Sequence, residues 1–214
     1  MASQRQSNPL SRDDYVIGWI SALTIESAAA VLMLDEEHGD LSIAKGDSNT
    51  YSLGRIGTHN IVMACMNQAG GVPANTVATN LMKSFRNVRY ILMVGIGGGI
   101  PSTKYEVRLG DIVVSEPTGR SPGVVQSDFG KWEVDGFKIR GSLNRPAEGL
   151  IRAVGAVKRE ELLGRTPGNT KAGTMITSIE KIRCHVTIDP ASNAHRKHQI
   201  QKFITVSLLL EARL

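Results

Sequence analysis

Short, nearly unbroken apolar runs alternate with amphipathic stretches along the first three quarters of the chain, which is the signature of buried strands separated by helices. Residues 15–21 (YVIGWIS) form the first such run and have the length of one buried strand. Residues 22–38 (ALTIESAAAVLMLDEEH) are rich in helix formers, with Leu23, Ala30, Val31 and Leu34 on one stripe, Thr24 as an N-cap and Gly39 as the stop. Two β-rich runs at 51–57 and 60–67, joined by Thr58 and His59, predict a meander or hairpin. Beyond Gly70 and Gly71, residues 72–86 predict an amphipathic helix with Pro73 in its first turn, where a missing N–H does no harm. Residues 90–96 (YILMVGI) are the most apolar run and belong at the centre of a sheet, with Gly97, Gly98 and Gly99 ending the strand in a turn. Residues 109–115 (LGDIVVS) predict a further strand, and residues 124–141 a pair of strands turning at Asp135 and Gly136. Residues 146–163 predict a helix opened by Pro146 and closed by Gly164.

This order predicts an α/β fold, a three-layer sandwich with a mixed, largely parallel central sheet. After Gly164 the pattern changes: 165–171 is loop, 189–201 is polar, and 203–214 fits a strand or a helix with no obvious place in the sheet. The chain therefore divides into a polar leader at 1–13, an α/β domain at 14–164 and a divergent ending at 165–214, expected to pack loosely.

Composition narrows the functional classes. The net charge of +5 is scattered, with its densest group at Arg196, Lys197 and Lys202, and no basic stripe is interleaved with aromatics, so nucleic acid is not the expected partner. Cys65 and Cys184 lie far apart in no metal-ligand spacing, which predicts free thiols in a reducing compartment and no metal site. No run approaches the roughly 18 apolar residues of a membrane span, and the leader lacks a signal-peptide core, so an intracellular protein without membrane contact is expected.

The candidate chemistry sits at two glycine-containing turns. Gly95, Ile96, Gly97, Gly98 and Gly99 follow the most apolar strand, where α/β sheets place ligands and where backbone without Cβ atoms approaches them closely. Pro101 and a further strand follow where a dinucleotide fingerprint would need a helix. At the first strand, Ile20-Ser21-Ala22-Leu23-Thr24-Ile25-Glu26 puts a carboxylate in the opening turn of a helix, favourable there even without catalysis.

The continuous segment at 94–117 (VGIGGGIPSTKYEVRLGDIVVSEP) resembles the part of nucleoside phosphorylases and nucleosidases that surrounds the phosphate and ribose pocket. Residues 123–131 (GVVQSDFGK), with Gly136 and Phe137, resemble the form found in nucleoside phosphorylase-like domains of eukaryotic signalling proteins with NACHT or repeat domains. The resemblance runs over 15–163 and implies the purine and uridine phosphorylase fold. It also implies a small-molecule nucleoside as ligand, with phosphate if the reaction is phosphorolysis, no metal or organic cofactor, and a homo-oligomer.

On the same resemblance Glu26 matches the carboxylate that polarises the attacking water in nucleosidases, while phosphorylases carry a phosphate-binding arginine there and a glycine at Ala22. Gly70 and Gly71 match the second glycine loop, which faces the sugar. Met93 and Ile96 stand where bacterial phosphorylases carry an arginine and a hydroxyl, and losing both weakens an anion site. Gly95, Gly97 and Gly98 complete the candidate pocket, and the glycine turn is expected beside the first-strand end at Ala22. The Glu-Met-Glu-Ala segment that binds ribose in full-length relatives has no counterpart, neither Glu180 nor Glu211 fits it, and the ending is expected to be a shortened or aberrantly spliced version of the family fold, the alternative being a divergent member that closes its sheet differently. The implied function is cleavage of the N-glycosidic bond of a purine nucleoside by water in preference to phosphate. The alternatives are an inactive nucleoside-sensing or scaffolding module, or a non-functional truncated product.

Overall fold

The computed structural model describes residues 10–68, 70–99, 112–119, 122–142, 144–164 and 201–211. Their main feature is a seven-stranded mixed sheet in the order β2-β3-β4-β1-β5-β9-β6. Its strands are β1 (Ile17–Ser21), β2 (Glu36–His38), β3 (Tyr51–Ile56), β4 (His59–Cys65), β5 (Tyr90–Gly99), β6 (Ile112–Val114) and β9 (Gln201–Glu211). β7 (Val125–Glu133) and β8 (Gly136–Ser142) form a separate antiparallel ribbon. The helices are α1 (Thr24–Leu32), α2 (Gly71–Ser84) and α3 (Glu148–Leu162).

β1 lies between β4 and β5 and runs parallel to both, so the carboxyl ends of these three strands gather at one rim. Alternation along the strands sorts their side chains to opposite faces. Trp19, Ile61, Met63 and Val94 pack with Ala30 and Leu34 on the α1 side. Ile20, Val62, Ala64 and Ile91 pack with Val77, Leu81 and Phe85 on the α2 side. The three-layer arrangement follows from these two faces. α3 begins against the hydroxyl of Tyr90 at the start of β5.

Three elements depart from the sequence pattern. The predicted helix over 22–38 stops at Leu32, and Leu23, not Thr24, is the residue at the N-cap. Glu36–His38 instead pairs antiparallel with β3, where the Glu36 carboxylate binds the Arg55 guanidinium at 2.9 Å and Asp35 takes the amide of Gly57 at 2.7 Å. Helix propensity in this short acidic run yields to pairing with a neighbouring strand. Second, β5 does not end at Ile96: Gly97, Gly98 and Gly99 continue it, paired with Phe203, Lys202 and Gln201. The third departure is β9 itself, which lies antiparallel to β5 and parallel to β6, inside the sheet and not loosely beside it. Residues 100–111 and 165–200, including Pro101, Glu180 and Cys184, lie outside the described residues.

The Tyr15 hydroxyl and His38 Nδ1 lie 2.8 Å apart, and Tyr15 also packs edge-on against Phe85. Burial holds the His38 pKa below the ordinary histidine value, with Arg55 acting in the same direction and Glu36 opposing both. A folded pKa below the unfolded one means that the unfolded chain takes up the proton first, so stability is present above about pH 6.5 and falls as pH drops below it. Thermal melts from pH 8 to pH 5 are expected to show a falling midpoint below pH 6.5, and a His38→Gln variant to lack the part of that fall that comes from this ring.

Candidate active site

The rim formed by the ends of β1, β4 and β5 is where an α/β sheet presents ligands. At Ser21 β1 leaves the sheet and passes through Ala22 and Leu23 into α1, while β5 continues beyond its last pairing with β1 at Met93. Glu26 fills the gap between the two diverging chains. Its Oε2 accepts the backbone N–H of Ala22 and of Leu23, both at 2.9 Å, and its Oε1 accepts the N–H of Ile96 at 2.8 Å. The bond to Leu23 is one half of a capping box at the start of α1. The bond to Ile96 carries the sheet's hydrogen bonding one step past the end of β1.

Gly95 makes this position possible. A Cβ there would lie 2.8 Å from Oε1 and 2.9 Å from Cδ and Oε2 of Glu26. The carboxylate is therefore seated against bare backbone, held by three donors, with only 9% of the residue exposed. Two acceptor positions are available on each carboxylate oxygen, so Oε2 is filled and Oε1 keeps one.

The other expected site residues divide. Ala22, Glu26, Gly95 and Ile96 meet at this point, and the Ile96 side chain is half-exposed. Met93, partly buried, packs against the core cluster under α2. Gly97 and Gly98 belong to the β5–β9 ladder and not to a turn. Gly70 caps α2 with φ of 140°, a conformation suited to glycine, and Gly71 opens the helix with nothing within 4 Å of where its Cβ would be. The loop bearing them connects back to α1 through Thr24 Oγ1, which donates to Asn67 Oδ1 at 3.3 Å.

A cleft of about 660 Å³, within the usual range for small-molecule pockets, opens by the end of β4 and the start of α2; Ala22, Glu26, Gly95 and Ile96 are not among its lining residues. Ser27 of α1, Ser52, Cys65, Asn67, Val72 and Thr76 are among its lining residues, and no charged side chain contributes among the described residues. One wall is a strap whose anchor sequence reasoning missed. Asp47 accepts hydrogen bonds from Ser84 Oγ, from the Tyr51 hydroxyl at 2.7 Å and from the Asn49 N–H at 2.8 Å. Burial pushes the Asp47 carboxyl upward, but those bonds outweigh it and leave its pKa below the ordinary value. The Tyr51 hydroxyl is driven well above its usual range by burial and by the Asp47 carboxylate, so it stays a donor. Asn67 was also missed; it holds φ of 54°, a left-handed conformation that asparagine tolerates better than most residues, and that tolerance was the available signal.

Residues 22–178 match the family model described as the phosphorylase superfamily. The chain belongs to the phosphorylase superfamily. A nucleotide-binding leucine-rich repeat (NLR)-like protein from Hyaloscypha variabilis is 45% identical over 157 residues, which cover 73% of this chain and 16% of that protein. The chain thus spans under a fifth of that superfamily relative's length. Among solved structures, a putative 5′-methylthioadenosine/S-adenosylhomocysteine nucleosidase from Borrelia burgdorferi, bound to adenine, superimposes with a TM-score of 0.51 at 20% identity, over 89% of this chain and 84% of that one. This likeness is one of fold. Among the described residues no helix is long and apolar enough to cross a membrane.

Proposed function

We propose that this domain hydrolyses the N-glycosidic bond of a purine nucleoside, with Glu26 orienting the attacking water. The observation that carries the reading is the Glu26 carboxylate itself, a buried anion fixed where β1 and β5 part. Cleavage at C1′ builds positive charge on the ribose ring, which a fixed negative charge stabilises. The same charge repels phosphate. It also occupies the Ile96 N–H, a donor that an anion at the β5 end would need. Oε1 keeps one acceptor position with which to hold a water, and a nearby cleft with no charged side chain among its described lining residues suits a neutral ligand such as a nucleoside. The nucleosidase of similar fold that was solved with adenine supports a purine as the base.

One observation favours a second reading, a nucleoside-sensing module. Three of the four acceptor positions of Glu26 are taken by backbone amides, an arrangement that also serves as a structural clasp. The similar NLR-like protein, six times longer than the matched segment, fits a sensing domain within a larger chain. Base release from adenosine, inosine and methylthioadenosine in phosphate-free buffer, followed by a phosphate titration, separates the readings. Hydrolysis predicts turnover that is unchanged by added phosphate. Turnover that requires phosphate would overturn it, and calorimetric binding without turnover would select the sensor.

A further inference from the structure

Between β2 and β3 the chain makes a strap, residues 39–50, that has no helix or strand of its own and lies against α2. Side-chain hydrogen bonds hold it there. Ser84 Oγ accepts the Ala44 N–H at 3.0 Å, the Asn49 side-chain amide donates to the Val77 carbonyl at 2.9 Å, and Asp47 gathers Ser84, Tyr51 and the Asn49 N–H. At the start of the strap His38 meets the hydroxyl of Tyr15, a fully buried residue. Both ends rest on one ring, since Tyr15 and Tyr51 each pack edge-on against Phe85 at centroid distances of 5.6 and 5.1 Å. Ser48, Asn49 and Thr50 then form a wall of the cleft. A segment fastened by a few polar contacts can open as a local unit while the sheet stays folded.

We propose that residues 39–50 are a pH-gated strap over this cleft, released when His38 takes up a proton. A neutral imidazole can accept the Tyr15 O–H at Nδ1; an imidazolium carries hydrogen on both nitrogens and cannot. Protonation also places a positive charge on a half-buried ring. The charged groups that face the ring do not compensate. Arg55, from β3, repels that charge, and Glu36, on the same strand as His38, is already bound to Arg55 at 2.9 Å. Glu37 and Asp40, on either side in sequence, are exposed to solvent. Burial therefore holds the ring below the ordinary histidine pKa while the strap is closed, and exposure on opening restores it. The open form takes up the proton first, so opening is favoured as pH falls below about 6.5. Asp47, at the other end, has a pKa below the ordinary carboxylate value and stays ionised over this range, so the strap opens from its His38 end.

Hydrogen exchange read by mass spectrometry on the full 214-residue chain tests this without any substitution. The reporters are the amides of Ala44, Asp47 and Asn49, each hydrogen-bonded in the closed strap. After correction for the intrinsic pH dependence of exchange, their protection should fall about tenfold from pH 7.5 to pH 5.5, the change expected when the open form alone takes up one proton near pH 6.5. Protection of β4 should hold over the same range. His38→Gln should flatten the profile of the strap, whereas Asp47→Asn should lower its protection at every pH and keep the slope. Access to the cleft is read at Cys65, one of its lining residues, by maleimide labelling in a Cys184→Ser background. Dividing the rate with His38 by the rate in the His38→Gln chain cancels the thiolate fraction, and this ratio should rise about tenfold from pH 7.5 to pH 5.5. A strap whose protection is flat in pH, or falls only together with that of β4, would overturn the proposal. So would an unchanging labelling ratio, or a pH response that survives His38→Gln.

Discussion

Replacing Glu26 by glutamine is expected to lower nucleoside turnover by about 10²–10⁴-fold, the usual range for loss of a general base, with a smaller effect on KM. The structure adds a second consequence. Glutamine has one acceptor oxygen and one donor amide where Glu26 accepts on both oxygens. Turned to serve Ala22 and Leu23, it sets its NH₂ against the Ile96 N–H; turned the other way, it opposes two donors. The first orientation is the less costly, and it leaves the Ile96 N–H without its partner at a cost of about 1–3 kcal/mol. A melting midpoint a few degrees lower should therefore accompany the loss of activity. Both effects together support a carboxylate that acts as clasp and as base. Lowered stability with full turnover would leave Glu26 as a clasp alone, and the hydrolytic proposal would fall.

Gly95→Ala tests the same seat without touching the carboxylate. The new methyl group would lie within 3 Å of three atoms of the Glu26 carboxyl group, closer than such contacts allow. The carboxyl group cannot move aside and keep its bonds to Ala22, Leu23 and Ile96 together. A displacement near 1 Å is sufficient to cost about 10²-fold in rate when a reacting group is misplaced. We expect Gly95→Ala to lose turnover on that order, with its charge inventory and its Glu26 intact. A Gly95→Ala enzyme with the wild-type rate would mean that the position of this carboxylate does not matter to the chemistry. The ratio of kcat to KM effects adds a further check, since displacement of a water-orienting group should act on kcat first.

Much of this fold can be read from the order of residues, and the reasons differ by element. β1, the β3–β4 hairpin, α2 and β5 each carry a strong local pattern, and each forms within two or three residues of the expected bounds, β5 at its glycine end excepted. β2 was hidden because Glu36 and Glu37 read as a helix end, while their strand conformation depends on Arg55 and the rest of β3, nineteen residues away in sequence. The glycines after Ile96 read as a turn because glycine favours turns; what keeps them extended is a partner strand a hundred residues further on. Of the candidate site, Glu26 and the nearness of the two strand ends were legible. The seat was not: that Gly95 leaves room for a carboxyl group, and that Ile96 contributes its amide where its side chain had drawn notice, are facts about backbone that no side-chain pattern encodes. Met93 reads as a site position only by resemblance, and it packs, partly buried, against the core cluster under α2.

The place of β9 between β5 and β6 also bears on how the molecule is made. As the chain leaves the ribosome, β1, β4 and β5 can pair as soon as residue 99 is free, but the far edge of β5 has no partner among the described residues until Gln201–Glu211 has been synthesised. At ordinary elongation speeds that is an interval of roughly 5–20 s, during which the most apolar strand of the sheet presents an open edge. Such pairing across long sequence separation is slow to form and exposed to aggregation until it does. The folding of this domain is therefore set late, and a nascent chain paused between the two strands is the form most dependent on chaperones.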